Sequence, residues 1–174
     1  MDHLVCFVPG LLALGAQHIP EHREEHMELA AKLTETCYQM YAKQKTGLAP
    51  EFVRFSGGSM QVGAAHNLLR PETVESLFLM WRFTKEPKYR EWGWKVFLAF
   101  EKHCKVESGG YVGLKNVNVD GSVPRNRDDT MQVYQLSWAG GSASARKLAA
   151  LPRFACGGLL LLPRCPASRA AACS

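Results

Sequence analysis

The chain has 174 residues, the length of one ordinary domain, and 47% of them are hydrophobic, as in a globular protein. Its formal charge is +5, but five of the 21 basic residues follow Asp129, which is the last of the 16 acidic residues. Residues 1–132 therefore carry 16 basic and 16 acidic side chains and are formally neutral. This balance, and the absence of a basic stripe with interleaved aromatic residues, argue against a nucleic-acid partner.

The apolar segment at residues 4–16 has the length of a signal-peptide core. However, Asp2 and His3 precede it instead of Lys or Arg, and Pro9 and Gly10 interrupt it. It is also shorter than the roughly 20 residues that a membrane-spanning helix needs. We therefore predict a buried helix or helix–loop segment here, and we see no export signal or membrane anchor in the sequence.

Three amphipathic helices are predicted next. Apolar residues recur at helical spacing over residues 24–44, and Gly47 ends this helix. A second helix begins at Pro71, a residue that suits the first helical position, and runs to about Thr84. A third begins at Pro87. The short linker between the second and third helices predicts that they form an antiparallel helical hairpin. The aromatic residues at helical spacing on the second and third helices are predicted to be core.

Two other segments carry turn signals. Gly57 and Gly58 indicate a loop within residues 52–66. Residues 108–123 alternate apolar and polar side chains between glycine turns, which predicts a short β-hairpin. Composition and periodicity alone thus predict a mainly helical, all-α domain.

Charged residues are concentrated at the start of the second helix. Glu72 lies in the first turn, Glu75 lies three residues later on the same face, and Arg70 lies just before the helix. The helix dipole favours an ionised carboxylate there, and a general base must be ionised to act. Acidic residues are also common in first turns, and Glu75 could pair with Arg82 or Lys85. The spacing alone leaves both interpretations open.

Residues 67–78, of sequence NLLRPETVESLF, resemble the active-site segment of the class I α-1,2-mannosidases, family 47 of the glycoside hydrolases. Further segments resemble the family in order and spacing: MDHLVCF at 1–7, HMEL at 26–29, TCYQ at 36–39, GLAPE at 47–51, KYREWGW at 88–94 and SGGY at 108–111. The resemblance extends to about Met131 and is closest to the endoplasmic-reticulum branch. It implies that residues 1–132 are a partial catalytic domain, with two to three helix pairs of an (α/α)7 barrel and a small β-hairpin.

The resemblance also implies an enzyme that hydrolyses terminal α-1,2-linked mannose from N-linked oligomannose glycans with inversion. Inversion needs an acid on one side of the glycosidic oxygen and, on the other, a base that activates water. Glu72 matches the family's proposed base. The residues that match its substrate-binding or water-ordering positions are Arg70, Glu75, Glu51, His3 and Asp2.

Three of these matches have simple alternatives. His3 could be a capping or surface histidine, and Asp2 could be a helix N-cap. Glu51 follows Pro50 and could be an acid at the start of a helix.

The six cysteines contain no Cys-x-x-Cys pair and match no zinc pattern. From the sequence alone, Cys6 and Cys37 could be two buried thiols. The resemblance implies instead that they form the family's disulfide in the lumen of the secretory pathway. It places the parent protein in the endoplasmic reticulum or Golgi, membrane-anchored and facing the lumen.

Other parts of the family pattern are missing. The family's proposed general acid and a further catalytic aspartate would lie before residue 1. Calcium is the implied cofactor, but its threonine ligand belongs to a Thr-Glu-Ala-His segment that does not occur in this chain, so we assign no metal ligand. We therefore expect the isolated chain to be inactive. The alternative is a non-catalytic, mannosidase-like protein that binds glycans or promotes the degradation of misfolded glycoproteins.

Residues 133–174 contain no acidic residue and are rich in Ala, Gly, Pro and Arg. This composition departs from the family pattern and predicts a disordered tail. The alternative is a basic extension with a function of its own.

Overall fold

The computed structural model describes residues 1–107 and 109–119. Within these residues, four α-helices and one β-hairpin follow each other, with two short 3-10 helices before the second α-helix. The elements are a 3-10 helix at His3–Phe7, α1 at Val8–Gly15, a 3-10 helix at Pro20–His22, α2 at Arg23–Ala42, β1 at Phe52–Ser56, β2 at Ser59–Ala64, α3 at Glu72–Thr84 and α4 at Pro87–His103. The predicted tail, residues 133–174, lies outside the described residues.

Local sequence explains where the later helices begin and end. Pro71 immediately precedes α3, and Pro87 is the first residue of α4. The end of α3 is set by Lys85, which has a left-handed backbone with φ 61° and donates its N–H to the carbonyl of Trp81. The first two predicted helices are confirmed to within about two residues at each end, and the third begins at the predicted Pro87.

The small β-hairpin is present, but at a different place from the prediction. Strands β1 and β2 pair antiparallel through the two-residue turn Gly57-Gly58, where the sequence indicated only a loop. Both glycines have positive φ values, 56° and 76°, which two-residue hairpin turns require. The prediction of a hairpin at residues 108–123 is wrong for the described residues 109–119, which form isolated bridges to Asn67 and Lys105.

The helices enclose two clusters of buried side chains. Helix α1 packs against α2 and α3, and α3 packs against α4. The larger cluster includes Cys6, Cys37, Met40, Tyr41, Leu48, Val53, Leu69, Val96 and Leu114. The smaller cluster lies between α1, α2, α3 and α4 and consists of Ala13, Ala30, Leu77, Met80, Trp81 and Tyr89. Most of the residues predicted to form the aromatic core are thus buried, which confirms the interpretation of the helical periodicity.

The architecture of the described residues is mainly helical with one two-stranded sheet. No single helix in this part of the chain is long and apolar enough to cross a bilayer. The segments His3–Gly15 and Pro20–Ala42 meet that test only as a pair, by length and composition, and they are bent by 119° at their junction.

Candidate functional site

Two distant segments of the chain are joined by backbone hydrogen bonds at the edge of the hairpin. The His3 N–H donates to the Glu51 carbonyl at 2.9 Å, and the Val53 N–H donates to the Met1 carbonyl at 2.9 Å. The first residues of the chain therefore lie beside β1, with an isolated bridge between Asp2 and Phe52. This pairing places the His3 side chain next to the segment that carries Glu51.

Asn67 connects the Glu51 segment to the start of α3. Its fully buried side chain donates from Nδ2 to the Ala49 carbonyl at 2.8 Å, and its Oδ1 accepts the Leu69 N–H at 2.9 Å. Leu69 is itself buried and has a positive φ of 60°, a strained conformation for a residue other than glycine. The bend at Leu69 leads directly into Arg70, which is next in the chain. Strain of this kind persists only where the surroundings enforce it, and Asn67 supplies that constraint.

Glu51 and Arg70 form an ion pair at the base of this site. Arg70 donates from Nε to Glu51 Oε1, and the two side chains are only 15% and 10% exposed, respectively. The other carboxylate oxygen of Glu51, Oε2, is buried and has no partner among the described residues. The alternative that Glu51 is an acid at a helix start is wrong, because Glu51 directly precedes strand β1.

Glu72 is the first residue of α3 and is half-buried beside this ion pair. Its Oε2 is buried and also has no hydrogen-bond partner in the described part of the chain. Burial raises the pKa of its carboxyl group, the negative charges of Glu51 and Glu75 act in the same direction, and the positive charge of Arg70 partly offsets them. Glu72 is thus a carboxyl group with a raised proton affinity next to a guanidinium.

Glu75 lies one turn further along α3, and burial raises the pKa of its carboxyl group as well. Among the described residues it forms no ion pair with Arg82 or Lys85. The Lys85 ammonium lies instead over the Trp81 ring, 4.8 Å from its centroid. The alternative role for Glu75, an ion pair with Arg82 or Lys85, is therefore not observed among the described residues.

His3 is fully buried, so it is not a surface histidine. Its Nε2 lies 2.9 Å from the Tyr41 hydroxyl and 3.3 Å from the Thr73 hydroxyl. Burial, followed by the charge of Arg70, lowers its pKa from 6.5 to about 3. The imidazole is therefore neutral at neutral pH.

Sequence reasoning missed Tyr41 and Thr73 as members of this site. Tyr41 belongs to the apolar face of α2, so its position predicted only a core residue, and it is indeed 1% exposed. The available signal was its phenolic oxygen, because a buried tyrosine hydroxyl usually finds a hydrogen-bond partner. Thr73 follows Glu72 directly and is also fully buried.

Asp2 occupies the edge of the arrangement. It is exposed, and its Oδ1 accepts the Leu4 N–H at 2.9 Å as the N-cap of the 3-10 helix His3–Phe7. The capping alternative is therefore what the structure shows. A sugar contact by Asp2 stays a prediction.

Cys6 and Cys37 form a disulfide, with Cα atoms 5.7 Å apart. This confirms the pairing that the family resemblance implied, and it lies within the ordinary bridging range. The bond joins the 3-10 helix that begins at His3 to α2, which carries Tyr41. It therefore holds together the element that carries His3 and the helix that carries Tyr41.

No group of three or more His, Cys, Asp or Glu side chains suited to a metal ion occurs in residues 1–107 and 109–119. The buried oxygens Glu51 Oε2 and Glu72 Oε2, which have no partner among the described residues, are oxygen donors of the kind that Ca²⁺ takes, but they are only two of the about 6–8 ligands that it needs. We therefore place no calcium ligand on the described residues.

Comparisons with known proteins show which family this chain resembles. A family model described as glycosyl hydrolase family 47 matches residues 1–138. The mannosyl-oligosaccharide 1,2-alpha-mannosidase MNS1 of Arabidopsis thaliana is 49% identical over 139 residues, which cover 79% of this chain and 24% of that protein. The endoplasmic reticulum mannosyl-oligosaccharide 1,2-alpha-mannosidase of Homo sapiens is 50% identical over 137 residues, which cover 74% of this chain and 19% of that protein.

The fold has a counterpart among solved structures. The alpha-1,2-mannosidase from Trichoderma reesei matches 80% of this chain with a TM-score of 0.69, at 24% sequence identity and over 32% of that chain. The present chain spans about a fifth to a quarter of the length of the two curated relatives. Because the family model covers most of its residues, the chain belongs to glycosyl hydrolase family 47.

Proposed function

We propose that this chain is part of the catalytic domain of an inverting α-1,2-mannosidase, and that Glu72 is its general base. The observation that carries the proposal is a pair of buried carboxylate oxygens near Arg70, Glu51 Oε2 and Glu72 Oε2, which have no hydrogen-bond partner among the described residues. Buried polar atoms without a partner are costly, and they are retained where a ligand or a water completes their hydrogen bonds. The names of the family relatives supply the reaction class.

In the proposed reaction, the Glu72 carboxylate takes a proton from the water that attacks the anomeric carbon. Its raised pKa makes it a stronger base, while the neighbouring Arg70 keeps the ionised form accessible. The attack comes from the face opposite the departing glycosidic oxygen, which inverts the configuration. We assign no general acid to the described residues.

The remaining residues bind and orient the sugar in this proposal. Glu51 fixes the Arg70 guanidinium through Nε, which leaves the other guanidinium N–H groups as donors for sugar hydroxyls. Glu75, half-buried on the same side of α3, accepts from a hydroxyl or from the attacking water. His3 supplies a neutral imidazole, and Asp2 lies at the exposed end of the site.

The wider context of the chain is part of the same proposal. The helices belong to an (α/α)7 barrel, the substrates are oligomannose N-glycans on glycoproteins, and the setting is the lumen of the endoplasmic reticulum or Golgi. The Cys6–Cys37 disulfide supports an oxidising compartment. Calcium, when bound, would supply positive charge that orients the sugar hydroxyls, through ligands that we do not place on the described residues.

The proposal can be tested in a chimera in which residues 1–138 replace the matching segment of the human relative, which is 50% identical over 137 residues. The assay is the release of free mannose from an α-1,2-linked oligomannose in the presence of calcium. We expect release by the chimera and a loss of about 10²–10⁴-fold on Glu72→Gln. Glu24→Gln is the matched control, because Glu24 is also a first-turn acid but is exposed on α2.

The chimera also distinguishes the proposed enzyme from the alternative, a non-catalytic glycan-binding protein. Binding of the oligomannose without release of mannose, in a folded chimera, would contradict the proposed base and support a non-catalytic glycan-binding protein. The isolated 174-residue chain is expected to release no mannose, because the residues we assign supply a base and sugar contacts but no acid.

A further inference from the structure

The His3 ring is held by two hydroxyl groups from two different helices. Tyr41 of α2 lies 2.9 Å from His3 Nε2, and Thr73 of α3 lies 3.3 Å from the same nitrogen. All three side chains are at most 1% exposed, so no bulk water competes for these contacts.

The opposite ring nitrogen has no such support. His3 Nδ1 is buried and has no hydrogen-bond partner among the described residues. A neutral imidazole carries its proton on only one nitrogen and offers a lone pair on the other. A buried N–H without an acceptor is rarer in proteins than an acceptor that is not fully used. The proton is therefore better placed on Nε2, where Tyr41 can accept it.

We propose that Tyr41 is a positioning residue for this site. Its hydroxyl oxygen accepts a hydrogen bond from the Nε2–H of His3. This fixes both the tautomer and the plane of the imidazole, which also contacts Thr73 beside the proposed base. The role beside the base rests on the proposed mannosidase function, whereas the tautomer does not.

The ring contact between the two residues supports a fixed orientation. The His3 and Tyr41 rings meet edge to face, with centroids 5.4 Å apart and an interplanar angle of 68°. The Cys6–Cys37 disulfide ties together the two elements that carry them. Thr73 directly follows Glu72 in α3, so the residue that contacts the imidazole is next to the proposed base in the same helix.

The competing interpretation is that Tyr41 serves only as packing in the core. Tyr38 provides the matched control, because it lies on the same helix in the same cluster and stacks on Trp92 with centroids 4.3 Å apart. Tyr41→Phe and Tyr38→Phe each remove one hydroxyl and keep the ring. Only the first should affect His3 if the hydroxyl positions the imidazole.

The experiment is nitrogen-15 spectroscopy of the histidine rings in the full 174-residue chain, with the His3 signals identified by their loss in His3→Gln. We expect wild-type His3 to stay neutral with the proton on Nε2 across about pH 5–8. In Tyr41→Phe the population of the Nδ1–H form should rise about five- to tenfold, as expected for the loss of one hydrogen bond. Tyr38→Phe should leave the His3 signals unchanged.

Two results would overturn the proposal. One is a wild-type spectrum with the His3 proton on Nδ1, which decides the matter even if Tyr41→Phe fails to fold. The other is an unchanged His3 spectrum in a folded Tyr41→Phe variant. In the mannosidase chimera, Tyr41→Phe should lower kcat/KM about five- to tenfold, whereas Tyr38→Phe should leave it unchanged. A chimera without any activity would count against the proposed function, while the ring spectra still decide the role of Tyr41.

Discussion

Arg70 and Glu51 are joined by a buried ion pair across 19 positions of the chain, with Arg70 Nε donating to Glu51 Oε1. The pair connects the segment before β1 to the start of α3, where Glu72 begins the helix. Asn67 ties the same two segments together through the Ala49 carbonyl. The position of the proposed base therefore depends on contacts outside its own helix.

The ion pair can be measured with a double-mutant cycle. Arg70→Met should destabilise the chain by about 3–5 kcal/mol, because it leaves the Glu51 carboxylate buried without its partner. Glu51→Gln combined with Arg70→Met should cost clearly less than the sum of the single changes. Urea unfolding of the four proteins provides the free energies. Additive effects would show that the two charges are not coupled.

Glu72→Gln should act mainly on kcat in the chimera that carries residues 1–138. The substitution preserves shape but removes the charge that accepts the proton from water, and general-base catalysis is worth about 10²–10⁴-fold. Glu75→Gln should instead raise KM as well, since Glu75 is proposed to contact the sugar. Steady-state kinetics distinguish the two. A Glu72→Gln variant with normal kcat would remove Glu72 from the role of base.

His3 should make the stability of the chain depend on pH. Its pKa is lowered from 6.5 to about 3 in the folded state, so the unfolded state binds the proton first as the pH falls. Stability is therefore lost below pH 6.5, by about 1.4 kcal/mol per pH unit. Burial raises the pKa of Glu72 and Glu75, so these carboxyl groups contribute stability below their ordinary pKa of 4.5 that is lost as the pH rises.

Because His3 and the two glutamates change stability with pH in opposite directions, the test compares variants with the wild type. Unfolding curves at several pH values should show a smaller loss of stability on acidification in His3→Gln than in the wild type. His18→Gln, at an exposed position, is the control and should follow the wild type. Parallel pH curves for the wild type and His3→Gln would contradict the buried, neutral state of His3.

Removal of the Cys6–Cys37 disulfide should destabilise the chain by about 3–4 kcal/mol, as expected from chain entropy for its sequence separation of 31. Cys6→Ser with Cys37→Ser should make the unfolding midpoint insensitive to reductant, whereas the wild type should lose stability when reduced. Cys104→Ala, which removes a buried free thiol, is the control and should retain the sensitivity. Equal midpoints for oxidised and reduced wild type would contradict the prediction.

Gly113 supports the segment that carries the site. A Cβ at this position would lie 2.4 Å from the Asn67 carbonyl oxygen, so the backbone would have to shift. Gly113→Ala should therefore cost about 1–3 kcal/mol, as in other overpacked positions. Gly15→Ala in α1 is the matched control, because a Cβ there meets no atom within 4 Å. A Gly113→Ala protein as stable as Gly15→Ala would show that the contact is not restrictive.

The sequence predicted the helices well because their signals are local. Pro71 and Pro87 mark the starts of α3 and α4, and the helical spacing of apolar residues identifies their buried faces. The disulfide needed the family resemblance, because the spacing of Cys6 and Cys37 alone was also compatible with two buried thiols. The hairpin was misplaced because Gly57-Gly58 was interpreted as a loop, although Gly-Gly is also typical of a two-residue hairpin turn.

The contacts between residues of the site could not be predicted from the sequence. The sequence nominated Glu72, Arg70, Glu51 and His3, but it did not indicate that Arg70 pairs with Glu51 or that Tyr41 contacts His3. These contacts join positions 19 and 38 residues apart, and no local pattern records them.

By itself, the sequence determined the helical segments and the charged motif at the start of α3, because both depend on neighbouring residues and their periodicity. Only the tertiary structure decided which charges pair and which polar atoms are buried without a partner. Burial then lowers the pKa of His3 and raises the pKa of Glu72 and of Glu75. The physical reason is that desolvation and hydrogen bonding depend on every segment packed around a group, and those segments meet only when the chain is folded.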